Sequence, residues 1–191
     1  MNGPEYLTSQ IIAYIGNKRR LLPLIGAALE RAFDGRVPPG LKFLDLFAGS
    51  GVVSRYAKHR GFSVVSNDWE PYAYILNRAY VEAGERDIER LFGSRSRFLE
   101  IIGELNALPD PPEDERYISR YYAPAEDDAE MADFRTERLF YTRANALAID
   151  RIRGGIEKLF PPGDDDAELR RCLLIAPLLY EAATHTNTSG V

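Results

Sequence analysis

The chain has 191 residues, 45% of them hydrophobic and 28% charged, with a net charge of −5. That composition supports a packed core, the net charge argues against a nucleic-acid binder because phosphate contacts need Lys and Arg, and the length suits one domain, or one domain with a small insertion. A single cysteine, Cys172, excludes an internal disulfide and offers no zinc cluster, and no apolar run resembles a signal peptide or spans a bilayer, so the expected location is cytoplasmic.

Asn17 is placed to cap a helix with Leu21, Leu22, Ile25, Ala28, Leu29 and Ala32 on its apolar face, Pro23 in the first turn and Gly35 as its stop. The loop Val37-Pro38-Pro39-Gly40 leads into an apolar strand ending at Asp45, and a helix begins near Gly51 and ends before Gly61. A second strand, Phe62 to Ser66, is followed by a helix from Tyr72 to Ala83 with Leu76, Tyr80 and Ala83 on one face and Gly84 at its end. Beyond residue 85 the pattern turns helical. A helix spans about Ile88 to Leu105, and Pro109 to Glu115 is loop. Thr142 caps a helix from Arg143 to Leu159 with Leu147, Ile152, Ile156 and Leu159 inward, which Gly154-Gly155 weakens by about 1 kcal/mol per glycine. A last helix from about Asp165 carries Leu169, Leu173 and Ala176, and Pro177 is expected to kink or divide it. Basic residues gather at Lys18-Arg19-Arg20, at Arg86, Arg90, Arg95 and Arg97, and from Arg135 to Arg153, with acidic runs at residues 110–115, 126–130 and 164–168. A local basic face is compatible with this pattern, although most of these arginines read as solvated. Tyr117, Tyr121 and Tyr122 read as core aromatics before base or phosphate contacts.

The segment Phe43-Leu44-Asp45-Leu46-Phe47-Ala48-Gly49-Ser50-Gly51 has the order strand, tight turn, helix. Its glycines let the backbone turn sharply and approach a ligand closely. About twenty residues on, the second strand delivers Asn67-Asp68, and an acid at that strand end is where a nucleotide ribose finds a hydroxyl acceptor. Together they point to an adenosine-bearing cofactor. A nicotinamide dinucleotide fits less well: Ser54 occupies the position of the third Gly or Ala, and Asp45 would repel a pyrophosphate while tolerating a cationic sulfonium.

Asp45-x-Phe47-x-Gly49-x-Gly51 resembles motif I of the S-adenosylmethionine-dependent methyltransferases, and Tyr14-Ile15-Gly16-Asn17-Lys18 resembles the motif that precedes it in the Dam-like (D12 class) DNA adenine-N6 methyltransferases. The resemblance continues through Asn67 to Tyr80, Tyr117 to Tyr122, Glu137 to Ile156 and Asn187 to Val191. It implies an α/β fold, a partial Rossmann-like methyltransferase sheet with a mostly helical insertion, and S-adenosylmethionine as cofactor. Residues 1–84 would be the cofactor-binding part, 85–185 a target-recognition region, and 186–191 the start of a segment leading to the catalytic part. Tyr14, Gly16 and Lys18 would contact the cofactor, with Lys18 on the methionine carboxylate. Asp45, Phe47, Gly49 and Gly51 would form the turn, Asp68 would accept the ribose hydroxyls, and Trp69 would lie on the adenine ring or pack in the core. Double-stranded DNA would be the substrate.

The family's Asp/Asn-Pro-Pro-Tyr/Phe element is absent. Asp110-Pro111-Pro112-Glu113 is a decoy: its fourth residue is acidic, more acid follows, and no strand pattern precedes it. No catalytic residue is therefore assigned and no metal site is expected. The chain reads as the N-terminal part of a longer enzyme, inactive alone, whose half-sheet would favour self-association or a C-terminal partner chain. A non-catalytic DNA- or partner-binding subunit of a split methyltransferase is the alternative.

Overall fold

The computed structural model describes Leu7, residues 18–126, Asp133 and residues 135–187. The chain divides into two compact units, residues 1–84 and 85–191.

In the first unit a 3₁₀ turn, Lys18–Leu21, leads into α1, Leu22–Phe33. Pro23 sits in the first turn, where a missing N–H costs nothing. The helix ends one residue before the expected glycine: Asp34 already adopts the left-handed conformation, with φ 50°, and sends its N–H back to the Glu30 carbonyl. Strand β1, Lys42–Asp45, α2, Val52–His59, and β2, Ser63–Ser66, form a parallel β-α-β unit in which Asp45 pairs with Ser66. One sheet face is covered: Phe43 packs on the cluster of Leu22, Val52 and Val53, and meets Phe62 edge-on at 5.5 Å. On the other face Leu44 and Val65 remain 57% and 48% exposed. Parallel strands are ordinarily covered on both faces.

Helix α3, Pro71–Asn77, runs directly into one wider π turn, Arg78–Glu82, closed by the Ala83 N–H on the Arg78 carbonyl at 3.0 Å. The expected helix to Ala83 is thus present, but its buried face is not the α-helical one. Asn77, Ala79 and Val81 are buried, while Tyr80 is only partly so. The Lys58 ammonium donates to the Val81 and Glu82 carbonyls, occupying acceptors that the irregular turn leaves over.

In the second unit the single helix expected over 88–105 is two. Helix α4, Glu85–Phe92, stops at Gly93, whose φ is 82°, and α5, Arg95–Asn106, starts on Ser94, whose hydroxyl accepts the Arg97 N–H at 3.0 Å. After a 3₁₀ turn, Glu113–Glu115, comes the short α6, Ile118–Tyr121. Helix α7, Arg143–Leu159, is capped by Thr142 as expected, through the Asn145 N–H at 3.2 Å. Its buried positions are Ala146, Asp150, Gly155 and Ile156, and Leu159, expected inward, is 50% exposed at the helix end. Gly155 has a packing reason: a Cβ there would stand 2.8 Å from Leu105 Cδ2 and closer still to Leu108, so α5 and α7 approach where only glycine fits. Helix α8, Asp165–Thr184, continues through Pro177 rather than dividing, with Leu169, Leu173 and Ala176 buried.

Candidate cofactor site and nucleic-acid surface

The ends of β1 and β2 are tied by backbone bonds. The Asn67 N–H donates to the Asp45 carbonyl at 2.8 Å, the Ala48 N–H to the Asn67 carbonyl at 2.9 Å, and Asn67 Nδ2 to the Leu46 carbonyl at 2.9 Å. The chain then reverses in a tight turn, with the Gly51 N–H on the Ala48 carbonyl at 2.8 Å and φ of 54° at Gly49 and 75° at Gly51. Those φ values impose steric strain on any residue with a Cβ.

Asp68 stands at this turn. Its Oδ2 accepts the Gly49 N–H at 2.7 Å and its Oδ1 accepts the Glu70 N–H at 3.1 Å. Partial burial works to raise the Asp68 pKa. Bonds from the Glu70, Gly49 and Trp69 backbones and the charge of Lys18 outweigh it, holding the carboxyl below its ordinary value. The Lys18 ammonium donates to the Phe47 carbonyl in the same turn. Lys18, the Phe47-Gly49 turn and Asp68 are therefore brought together from three separate stretches of the sequence. Phe47 and Trp69 are 75% and 93% exposed, so Trp69 is not a core residue. Tyr14 and Gly16 lie outside the described residues.

Asp45 is buried, and its Oδ2 faces inward: the Ser54 hydroxyl donates to it at 2.8 Å, and the Ser66 hydroxyl donates to Ser54 at 2.8 Å. Ser54, which departs from the dinucleotide pattern, is the residue that locks α2 to the strand end. Sequence reasoning also missed Asn77, whose Nδ2 donates to the Gly49 carbonyl at 3.0 Å. The one signal that could have found it is an amide among the apolar positions of a helix.

The donor set fits an amino-acid-bearing nucleoside. An ammonium suits a carboxylate, an ionised acid at a strand end suits ribose hydroxyls, and exposed aromatics suit a purine face. Gly51 is buried, and a Cβ on it would meet Asn77 and Val81.

The segment Pro109 to Pro112 is loop. Asp110 follows the end of α5, with no strand before it, and pairs with Arg151 at 3.3 Å on the surface. Replacing Asp110 with alanine is expected to change stability by less than about 1 kcal/mol and to leave cofactor affinity unaltered, by chemical denaturation and calorimetry. Complete loss of methylation in a longer protein carrying these residues, with the cofactor still bound, would mark Asp110 as catalytic instead.

The second unit presents another surface. The buried Asp150 carboxylate of α7 accepts the N–H groups of Tyr117, Ile118 and Ser119 at 3.3, 2.8 and 2.8 Å, and the Ser119 hydroxyl at 2.7 Å. This anchors α6 so that Tyr117 and Tyr121 are 60% and 50% exposed, with ring centroids 5.2 Å apart, rather than packed in the core as the sequence suggested. Arg120 lies over Tyr121 at 5.4 Å and Arg138 over Tyr122 at 5.8 Å. None of Arg116, Arg120, Arg138 and Arg143 is ion-paired with a described carboxylate. Glu137, beside them, commits its carboxylate to the Ala125 and Asp133 N–H groups at 2.8 and 2.9 Å. Among the described residues no cluster of potential metal ligands forms, and no helix is long and apolar enough to cross a membrane.

A family profile for D12 class N6 adenine-specific DNA methyltransferases matches residues 14–149. The chain belongs to this family. It is 31% identical over 182 residues to Modification methylase LlaI of Lactococcus lactis subsp. lactis, covering 93% of this chain and 26% of that protein. It is 28% identical over 184 residues to Type II methyltransferase M.CviAII of Paramecium bursaria Chlorella virus 1, covering 94% and 48%, and 29% identical over 178 residues to Type II methyltransferase M.NlaIII of Neisseria lactamica, covering 93% and 47%. The D12 chain thus spans between a quarter and a half of the length of these relatives. No solved structure matches it.

Proposed function

We propose that this chain is the cofactor-binding and DNA-contacting portion of a site-specific DNA adenine-N6 methyltransferase that uses S-adenosylmethionine, acting in DNA modification or restriction-modification. The observation that carries the reading is the Asp68 carboxylate fixed on the Gly49 N–H beside Lys18, in a turn matched by the family. Residues 1–84 are read as the first part of a Rossmann-like methyltransferase sheet, and 85–185 as the target-recognition region, with 186–191 leading toward a catalytic part. The exposed Leu44 and Val65 face suits coverage by further sheet and helix, from the same chain or a second one.

When bound, S-adenosylmethionine supplies an activated methyl group. The chain's task is then placement. Lys18 would hold the amino-acid carboxylate, Asp68 would take the ribose hydroxyls on lone pairs not used by Gly49 and Glu70, and Phe47 and Trp69 would flank the purine. Adenine N6 is a poor nucleophile because its lone pair is delocalised. It needs hydrogen-bond acceptors at the amine and a stacking aromatic, which the Asp-Pro-Pro-aromatic element absent from these residues would supply.

Transfer of labelled methyl to mixed-sequence duplex DNA tests the activity, measured for this chain with and without a chain carrying that element. Methyl-adenine only in the combined reaction is expected, and cofactor binding with no adenine methylation in either would remove the reading. The DNA surface has its own test. Removing Arg120 and Arg138 together should weaken duplex binding about equally for any sequence, and should lower the slope of log affinity against log salt by about one for each phosphate no longer neutralised. Arg90→Ala, at an arginine already paired with Asp166, should change neither. An unaltered slope in the double variant would place DNA elsewhere.

A further inference from the structure

We infer that Asn77 is a positioning residue for the cofactor turn, acting through Gly49 and Gly51. The inference rests on reading that turn as the S-adenosylmethionine site. Asn77 is 9% exposed and ends α3. Its Nδ2 donates to two carbonyls, Ala73 at 2.8 Å and Gly49 at 3.0 Å. The Gly49 N–H is already committed to Asp68 at 2.7 Å. Gly49 is thus held on both sides, by an acid after β2 and an amide at the end of α3, and its two flanking peptides cannot rotate independently.

The residue type follows from the partners. Both are acceptors, so the side chain must present two N–H groups while staying short and uncharged, and only asparagine does so. Aspartate would set lone pairs against lone pairs, and leucine would take this donor from the Gly49 carbonyl. The amide also fills the space behind Gly51. A Cβ on Gly51 would stand 2.8 Å from Asn77 Oδ1 and 3.0 Å from Val81 Cγ2, the latter delivered by the π turn. Asn77 and the glycine at 51 therefore fit one another, and the turn keeps its left-handed φ values.

Calorimetry with S-adenosylhomocysteine, at a temperature where each variant is fully folded by circular dichroism, separates positioning from stability. Asn77→Ser and Asn77→Asp are expected to raise Kd by about tenfold or more, whereas Leu76→Ala, which removes a fully buried side chain of the same helix, should lose stability yet keep Kd within about twofold. If Asn77→Asp fails to fold, Asn77→Ser, which is uncharged and keeps one donor, carries the test. Amide exchange gives a readout independent of ligand: the Gly49 N–H should lose protection in Asn77→Ser and not in Leu76→Ala. Unchanged Kd and unchanged Gly49 exchange in the Asn77 variants would overturn the inference, as would equal loss of affinity in Leu76→Ala. A wild-type chain that binds no S-adenosylhomocysteine, with Gly49 exchange still governed by Asn77, would overturn the cofactor reading instead.

Discussion

Alanine at Asp68 is expected to weaken S-adenosylmethionine or S-adenosylhomocysteine binding by about ten- to a hundredfold, the equivalent of losing one charge-assisted hydrogen-bond acceptor of about 1.5–3 kcal/mol. The same change strands the Gly49 and Glu70 N–H groups, which the carboxylate accepts at 2.7 and 3.1 Å, so the turn should loosen even without ligand. The pH dependence carries a definite sign. The Asp68 carboxyl is held below its ordinary value in the folded chain, so its contribution to stability is present above the unfolded-state value and is lost as pH falls through the lower folded-state value. The stability gap between wild type and Asp68→Ala should be widest at neutral pH and close on the acid side of the ordinary carboxylate range. Urea titrations at several pH values check this, and calorimetry checks the affinity. Undiminished affinity in a folded Asp68→Ala chain would remove Asp68 from the site.

A larger loss of stability is expected at Asp150. Removing this carboxylate leaves three backbone N–H groups and the Ser119 hydroxyl without their acceptor, in a place where Asp150 is only 7% exposed and Ser119 only 2%. Asp150→Ala should cost about 3 kcal/mol or more, because bonds to a charged group and the desolvation of orphaned donors add together. Asp150→Asn, which keeps the shape and one acceptor, should cost roughly half as much. Denaturant unfolding gives both numbers. DNA affinity should fall with them, since Tyr117 and Tyr121 are held in place through this carboxylate. A loss under about 1 kcal/mol for Asp150→Ala would mean that α6 is anchored by something else.

The sequence was legible where one residue type has one local use. The Gly49-x-Gly51 turn and the Thr142 cap each satisfy a short-range need of the backbone, and each stands where the pattern placed it. It was opaque where the partner is remote. Ser54 reads as a flaw in a glycine pattern until Asp45 and Ser66 are seen on either side of it. Asp150 sits between Ile149 and Arg151 like any solvated helix acid, and only the fold brings the start of α6 onto it. The tyrosines around residue 120 have core chemistry, but their anchor points two of them outward. Gly93 divides two helices because Ser94 offers a new cap, a choice that apolar period alone does not encode. The wider sheet expected from the resemblance is represented among the described residues by two parallel strands and the helix between them.

The bond between Asp68 and the Gly49 N–H has a kinetic consequence. It joins two of the protein's own groups and needs no ligand to form, so the proposed cofactor and its analogues would meet a turn already tied rather than one that must first be ordered. Arrival rates should then vary little among analogues that share the ribose and amino-acid groups. Their differences in affinity should be written almost entirely in how long each one stays.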